Sequence, residues 1–290
     1  MNSNKSKFSL ILAMSIFGTI GIFVKYIPVP SGFLAFARGV LGAVFLLFTI
    51  LLKREKLSVS SIKNNFSLLI ASGALIGFNW ILFFESYRYT TVATTTLCYY
   101  MAPVFVILVS PFVLFEKLTP KKIICVAVAL IGMVLVSGIF KAGFSGVSEL
   151  HGVFLGLGAA LLYASVVILN KKIKDIPPND KTIVQLLSAS VVVLPYTLLA
   201  ENISDITFTA FTLVMLLIVG VVHTGFAYFL YFSSFSGLKA QTVALLSYID
   251  PAVAVFVSAI ILREKIGIFE IIGAVLILGS TLVCEFFENK

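Results

Sequence analysis

Apolar segments of about 20 residues follow one another along almost the whole chain, and they limit the possible folds more than any other feature. A helix of that length crosses the hydrocarbon core of a bilayer. The sequence therefore predicts an all-α integral membrane protein with ten transmembrane helices. The predicted spans are Phe8–Tyr26, Phe33–Leu52, Phe66–Tyr87, Val92–Phe115, Ile123–Phe140, Gly152–Asn170, Thr182–Ala200, Phe211–Phe232, Gln241–Leu262 and Ile266–Phe287.

The composition supports the membrane class. Of the 290 residues, 60% are hydrophobic and only 12% are charged, which is too few charges to cover a water-facing surface. The net charge of +8 comes from basic residues in short loops beside apolar segments, which indicates contacts with anionic membrane lipids rather than nucleic-acid binding. The three cysteines lie in apolar segments at spacings that suggest neither a metal site nor disulfides. We expect no metal and no cofactor.

The distribution of basic residues predicts the orientation. If the N-terminus is cytoplasmic, fifteen of the 21 lysines and arginines lie in inner segments, five lie in outer segments, and Arg38 lies within a span. Cytoplasmic loops are enriched in lysine and arginine. We therefore expect a multi-pass protein of the cytoplasmic (plasma) membrane with both termini in the cytoplasm.

The chain also contains an internal repeat. Between Gly77 and Lys117, fourteen of 41 positions are identical to the residue 148 positions later, including Pro103 with Pro251 and the pair Glu116-Lys117 with Glu264-Lys265. Each half contains five predicted spans, and an odd number requires the halves to enter the membrane in opposite directions. The sequence thus predicts two inverted five-helix repeats, residues 1–143 and 144–290, an arrangement typical of secondary transporters.

These repeated residues resemble the drug/metabolite transporter (DMT) superfamily, specifically its EamA family. The resemblance is carried by Leu97–Pro103 followed by Glu116, by Leu245–Pro251 followed by Glu264, and by Phe17, Gly18 and Arg38. It covers nearly the whole chain. It implies a ten-helix secondary carrier, often an exporter of amino acids or other metabolites.

Asp250 is the candidate of greatest interest for solute binding. It lies near the middle of the ninth predicted span, where an ionised carboxylate costs about 2.5–3.5 kcal/mol unless it faces a cavity or a partner. Pro251 cannot donate a hydrogen bond to the carbonyl of Ser247, and Pro103 likewise frees the carbonyl of Tyr99. We expect these helix breaks to expose backbone acceptors at membrane depth, although prolines also kink helices for packing alone.

Further candidates lie in the second, third and eighth spans. His223 shares a predicted helix face with Thr224, Ala227 and Tyr231. It is interpreted either as a residue that binds substrate or transfers protons, or as a neutral residue that bonds to a neighbouring helix. Asn79 and Trp80 are expected near the solute. Glu85 pairs either with Arg88, three residues later, or with Arg38, which otherwise extends its charge to the membrane surface.

Tyrosines at membrane depth complete the predicted binding set. Tyr99 and Tyr100 lie in the fourth span, and Tyr248 matches Tyr100 in the other half. Aromatic faces near a carboxylate suit an ammonium or amino-acid ligand through cation–π attraction. The halves differ in polarity at Asp250, Tyr99, His223 and Asn79, and an asymmetric solute would require such differences.

The predicted function is secondary active transport of a small organic solute, such as an amino acid, an amine or a related metabolite. Export by alternating access is expected, driven by exchange or by a proton carried on Asp250, Glu85 or His223. Import of a quaternary amine such as choline through an aromatic cage, and a channel or lipid scramblase on the same helices, remain alternatives. No ATP-binding or hydrolase motif is present, so an enzyme is not expected. A homodimer remains open.

Overall fold

The computed structural model describes residues 3–136, 147–203, 206–261 and 267–288, and the regular secondary structure within these ranges is helical. The first part of the chain forms α1 (Ser3–Lys25), α2 (Ser31–Leu52), α3 (Val59–Asn64), α4 (Phe66–Ser86), α5 (Val92–Tyr99), α6 (Ala102–Val113) and α7 (Pro120–Val136). The second part forms α8 (Val147–Lys172), α9 (Pro178–Ala200), α10 (Ala210–Ile218), α11 (Ala227–Ser234), α12 (Ala240–Leu246), α13 (Ile249–Ile261) and α14 (Ile268–Glu288).

Eight helices in the described ranges are long and apolar enough to cross a membrane, and they make this a multi-pass membrane protein. They are Ser3–Val24, Ser31–Leu52, Phe66–Ser86, Thr94–Val113, Leu150–Lys172, Pro178–Ala200, Ala210–Gly237 and Ala240–Val257. The predicted fifth span corresponds to α7, and its last four residues fall outside the described ranges. The predicted tenth span corresponds to α14, which has a shorter apolar part, Ile271–Cys284. The Glu264-Lys265 loop also lies outside the described residues.

Two helices are interrupted at the same point of the repeat. α5 ends at Tyr99 and α6 begins at Ala102, whereas α12 ends at Leu246 and α13 begins at Ile249. Pro103 and Pro251 each lie in the first turn after the break. A helix tolerates proline there because the N–H groups of its first turn have no intrahelical partner. Both predicted helix-breaking prolines therefore lie at breaks in the membrane interior.

The helices pack as neighbours in a regular way. α4 lies against α8 and α9, α2 against α9 and the segment that follows α10, and α1 against α11 and α13. α7 lies against α14, and α6 against α12. Glycines permit the closest approaches: a Cβ at Gly132 would lie 2.7 Å from the carbonyl oxygen of Gly273. Small residues at crossings are the usual means of bringing helices together in lipid.

Hydrogen bonds define two ends of this bundle. At the first, which we name the Glu116 end, the Ala240 N–H donates to Glu116 at 2.7 Å and the Ser58 N–H donates to Asp180 at 2.8 Å. At the opposite end, named the Glu201 end, the Gly32 N–H donates to Glu201 at 2.7 Å. Asp180 and Glu201 belong to the first turn and the C-cap of the same helix, α9, so the two ends are a full helix length apart.

Candidate functional site

A cavity of about 470 Å³ lies between the helices of the two halves. Toward the Glu201 end its walls include Gly21, Val24, Leu34 and Tyr87. Pockets of this size accommodate small organic molecules. The polar and aromatic side chains that line it include Phe17, Arg38, Asn79, Trp80, Tyr99, Tyr100, Tyr163, His223, Tyr228, Tyr231, Ser247 and Asp250.

Asp250 lies in the first turn of α13, directly after the helix break, and its side chain lines the cavity beside Tyr100. α1 comes very close here, since a Cβ at Gly18 would lie 2.6 Å from the carbonyl oxygen of Asp250. The backbone differs from the prediction in one respect. The carbonyl of Ser247 is not left free, because the Asp250 N–H donates to it at 3.3 Å in a tightened turn.

Arg38 also lines the cavity, and its guanidinium carbon lies 4.2 Å from the centre of the Trp80 ring. Its Nε is buried and has no hydrogen-bond partner. The predicted alternatives for Arg38, a pair with Glu85 or extension to the membrane surface, are both wrong. The guanidinium instead turns inward onto the indole, where the ring quadrupole attracts a cation.

Glu85 does not line the cavity. Its carboxylate accepts a hydrogen bond of 2.5 Å from the Tyr196 hydroxyl and forms an ion pair of 3.1 Å with Arg88, one turn later. Glu85 lies in the last turn of α4, and the exposed Arg88 at the helix end lies closer than the buried Arg38. The local ion pair with Arg88, one of the two predicted alternatives, is the one formed.

His223 lines the cavity from a π-helical segment, Val219–Phe226, that the sequence did not indicate. Its Nε2 lies 2.9 Å from the Thr19 hydroxyl. The Thr224 hydroxyl donates to the Val219 carbonyl, five residues earlier, at 3.0 Å. The wider π turn alters the predicted face: Tyr228 lines the cavity instead of Ala227, which is fully buried in packing. π-Helical turns are rare and are often found at functional sites.

Six aromatic rings form a continuous wall around the cavity. Tyr99 lies 5.7 Å from Tyr163, which stacks on Tyr231 at 6.3 Å and 21°. The hydroxyls of Tyr163 and Tyr231 are 2.6 Å apart. Tyr228 connects the wall to Trp80 at 6.3 Å and to Phe17 at 5.2 Å. The sequence did not single out Tyr163 or Tyr228, although Tyr228 is the counterpart of the candidate Trp80 at the repeat offset of 148 residues and could have been chosen on that basis.

Asn79 and Tyr248, two predicted solute contacts, form hydrogen bonds with other parts of the protein. Asn79 lines the cavity, but its Nδ2 donates to the Ala159 carbonyl at 2.6 Å and so holds α4 against α8. Tyr248 is fully buried and does not line the cavity. Its hydroxyl donates to the carbonyl of its repeat counterpart Tyr100 at 3.2 Å. The prediction of Tyr248 as a binding residue is therefore wrong, because its side chain joins the two broken helices.

A network of polar contacts joins the two halves at the Glu116 end. The Glu116 carboxylate accepts from the N–H groups of Ala240 and Gln241, at 2.7 and 3.1 Å, and so caps the N-terminus of α12. Lys122 donates to the Gln241 side chain at 2.8 Å, and that side chain donates to Ser110 at 2.8 Å. Glu116, Lys122 and Ser110 belong to the first half and α12 to the second.

Two lysines of the second half support the same end. The Lys181 amine donates to the carbonyl of Phe232 at 3.0 Å, and the Lys171 amine donates to the carbonyls of Phe235 and Leu238. Cations at the C-terminus of a helix satisfy its last carbonyls and complement its dipole. Charged groups therefore hold both sides of the turn between α11 and α12 at this end.

A multi-pass helical bundle with a polar, aromatic cavity at membrane depth is the architecture of a membrane transporter. The sequence matches the EamA-like transporter family over residues 5–138 and again over residues 150–285. The chain belongs to this family, and it is a transporter of the DMT/EamA type rather than an enzyme.

Individual relatives agree with this assignment. The chain is 28% identical over 279 residues to "Uncharacterized transporter YxxF" of Bacillus subtilis (strain 168), covering 93% of this chain and 86% of that protein. It is 27% identical over 192 residues to a "Probable amino-acid metabolite efflux pump" of Salmonella typhimurium, covering 63% of each chain. A solved crystal structure matches with a TM-score of 0.86 at 17% identity, over 99% of this chain and 98% of the other, and shows the same fold.

Proposed function

We propose that this protein is a secondary carrier that moves a small organic solute across the cytoplasmic membrane by alternating access. The observation that carries the proposal is the cavity between the halves, which contains both a guanidinium and a carboxylate and whose lining extends toward the Glu201 end but does not include the bonded residues of the Glu116 end. A carrier needs a site at membrane depth that only one side can reach at a time. A channel or scramblase would need a continuous path to both ends.

The proposal includes ten spans arranged as two inverted repeats, residues 1–143 and 144–290. Two observations support it. The helix breaks at residues 100–101 and 247–248 lie at almost the same repeat position, given the offset of 148 residues. The packing partners are also related: α4 of the first half lies against α8 of the second, just as α11 of the second half lies against α1 of the first. Halves of opposite orientation, related by a pseudo-two-fold axis in the membrane plane, allow an inward-open and an outward-open state of similar energy.

Both termini are proposed to be cytoplasmic, which makes the Glu116 end the inner end. The cavity then faces outward. Export is the proposed direction, supported by the Salmonella typhimurium relative, which is named as a probable amino-acid metabolite efflux pump. The orientation is tested with an epitope tag or a protease site at each terminus, by measuring whether antibody or protease reaches it in intact cells. Labelling from outside without permeabilisation would contradict it.

The driving force is proposed to be a proton gradient or exchange, with Asp250 as the group that alternates between charged and neutral. Asp250 lines the cavity, whereas Glu85 is held outside it by Arg88 and Tyr196. Proteoliposomes with and without a pH gradient test this. Asp250→Asn should abolish the response to the gradient, and Glu85→Gln should retain it. A response that survives Asp250→Asn would remove Asp250 from the proton role, and a wild-type flux that ignores the gradient would favour exchange.

A second candidate is import of a quaternary amine such as choline, and the aromatic wall favours it. Tyr99, Tyr163, Tyr228 and Trp80 line the same cavity as a carboxylate, and cation-binding cages combine these residue types. A thermal-shift screen of the purified protein against amino acids, quaternary amines, nucleosides and sugars, followed by flux of each stabilising compound, separates the candidates. A carrier gives saturable flux stimulated by solute on the opposite side; flux that never saturates would contradict it.

A further inference from the structure

Among the residues that the structure describes, Arg38 is the only arginine whose side chain lines the cavity. It contacts the Trp80 ring at 4.2 Å, and its buried Nε has no partner. In the described parts of the chain, the one arginine–carboxylate ion pair is that of Arg88 with Glu85, outside the cavity. Arg38 therefore presents hydrogen-bond donors and a positive charge to the cavity with no protein carboxylate bound to it.

The position of Arg38, a cation inside the membrane without a carboxylate partner, requires a physical explanation. Placing an unpaired cation at membrane depth is costly, and a cation–π contact with an indole compensates only in part. A guanidinium has its donors in a planar fork that matches a carboxylate or a phosphate. An anionic group in the cavity would supply the missing acceptors. Trp80 fixes the guanidinium in place in advance, so that little side-chain freedom is lost when an anion binds.

Asp250 occupies a different part of the same cavity. Tyr99 and Tyr228 lie close enough to both Arg38 and Asp250 to interact electrostatically with each, while the guanidinium and the carboxylate do not form an ion pair with one another. The two opposite charges thus line one cavity without forming an ion pair, and both lie near the rings of Tyr99 and Tyr228. A solute that carries both a cation and an anion would pair with both.

We propose that Arg38, held by Trp80, binds the anionic group of the solute while Asp250 binds its cationic group, so that the transported solutes are zwitterions such as free amino acids or betaines. This inference rests on the proposed carrier function. It also separates the two candidates above, because choline has the cation without the anion. A solute of that type would leave Arg38 unpaired and be repelled by it.

The test compares compounds that differ only in the anionic group. Purified protein is titrated with L-leucine, L-phenylalanine and glycine betaine, and in parallel with L-leucinamide, L-phenylalaninamide and choline, while its thermal unfolding is followed. At least one zwitterion should bind at least about tenfold more tightly than its counterpart that lacks the carboxylate. Arg38→Gln should remove this preference, and Arg38→Lys should retain part of it because the charge remains without the fork.

Arg88→Gln is the matched control, since Arg88 carries the same charge but lies outside the cavity in an ion pair with Glu85. It should keep the preference of the wild-type protein. Equal binding of the zwitterions and their counterparts, stabilisation by none of the zwitterions, or a preference that persists in Arg38→Gln would each overturn the inference. Flux in proteoliposomes distinguishes this proposal from the proposed carrier function. Arg38-dependent binding without flux would refute the carrier function. Saturable flux of choline that does not depend on Arg38 would refute only the proposal that the solutes are zwitterions.

Discussion

Glu116→Gln is predicted to open the Glu116 end of the protein. The wild-type carboxylate accepts two backbone hydrogen bonds, 2.7 and 3.1 Å long, from the first residues of α12. The amide retains one oxygen acceptor but loses the negative charge that faces the helix N-terminus. Loss of a charged cap of this kind costs about 1–2 kcal/mol. We expect these bonds to break when the Glu116 end opens, so that the cost falls on the closed arrangement alone. The ratio of the closed to the open arrangement should then fall about 5–30-fold.

The assay measures access to a residue buried behind this contact. Val243, one turn into α12, is fully buried and is replaced by cysteine in a protein whose three native cysteines are alanine. A water-soluble maleimide is added from the Glu116 end of the protein in vesicles. If the open state becomes 5–30-fold more populated, the alkylation rate should rise by about the same factor.

Glu201→Gln provides the matched control for this prediction. Glu201 accepts hydrogen bonds of 2.7 and 2.9 Å from Gly32 and Phe33 at the N-terminus of α2, but at the opposite end of the bundle. Glu201→Gln should lower the thermal stability by an amount similar to that of Glu116→Gln, and it should leave the alkylation rate at Val243→Cys unchanged. The reasoning is refuted if Glu116→Gln alkylates no faster than Glu201→Gln.

Two further predictions concern the cavity wall. Gly18→Ala should destabilise the protein by about 1–3 kcal/mol, because the new Cβ would lie 2.6 Å from the Asp250 carbonyl, whereas Gly21→Ala, with nothing within 4 Å, should be nearly neutral in thermal unfolding. Equal effects would show that the close approach does not matter. Tyr163→Phe and Tyr231→Phe should show a coupling of about 0.5–1.5 kcal/mol in a double-mutant cycle, because their hydroxyls are 2.6 Å apart; strictly additive losses would contradict a direct bond.

The membrane helices could be predicted closely because a bilayer requires long apolar segments. The predicted span Phe66–Tyr87 corresponds to α4, Phe66–Ser86, and the predicted Phe33–Leu52 corresponds to α2, which starts two residues earlier. The helix breaks could also be predicted, since proline acts through local backbone geometry. These features depend on short stretches of sequence and need no knowledge of neighbouring helices.

The direction of side chains was harder to predict. In a helix that is apolar on all sides, periodicity does not show which face borders the cavity. Tyr248 and Glu85 lie at suitable depths but face other helices. At His223 the π turn changed the register, so Tyr228 took the place expected for Ala227. Such a turn depends on packing against α2, where Gly42 and Gly225 nearly touch, and local sequence does not reveal it.

The paired helix breaks have a mechanical consequence. The Tyr248 hydroxyl donates to the Tyr100 carbonyl between the two helix breaks. Four helix ends lie within a few residues of this hydrogen bond: those of α5, α6, α12 and α13. The hydrogen bond can therefore serve as a common pivot. A lever 12 residues long, such as α6, extends about 18 Å, and a tilt of about 15° moves its far tip by about 5 Å. Asp250, beside the pivot, would barely move. The solute could therefore remain in place while first one end of the bundle and then the other swings open.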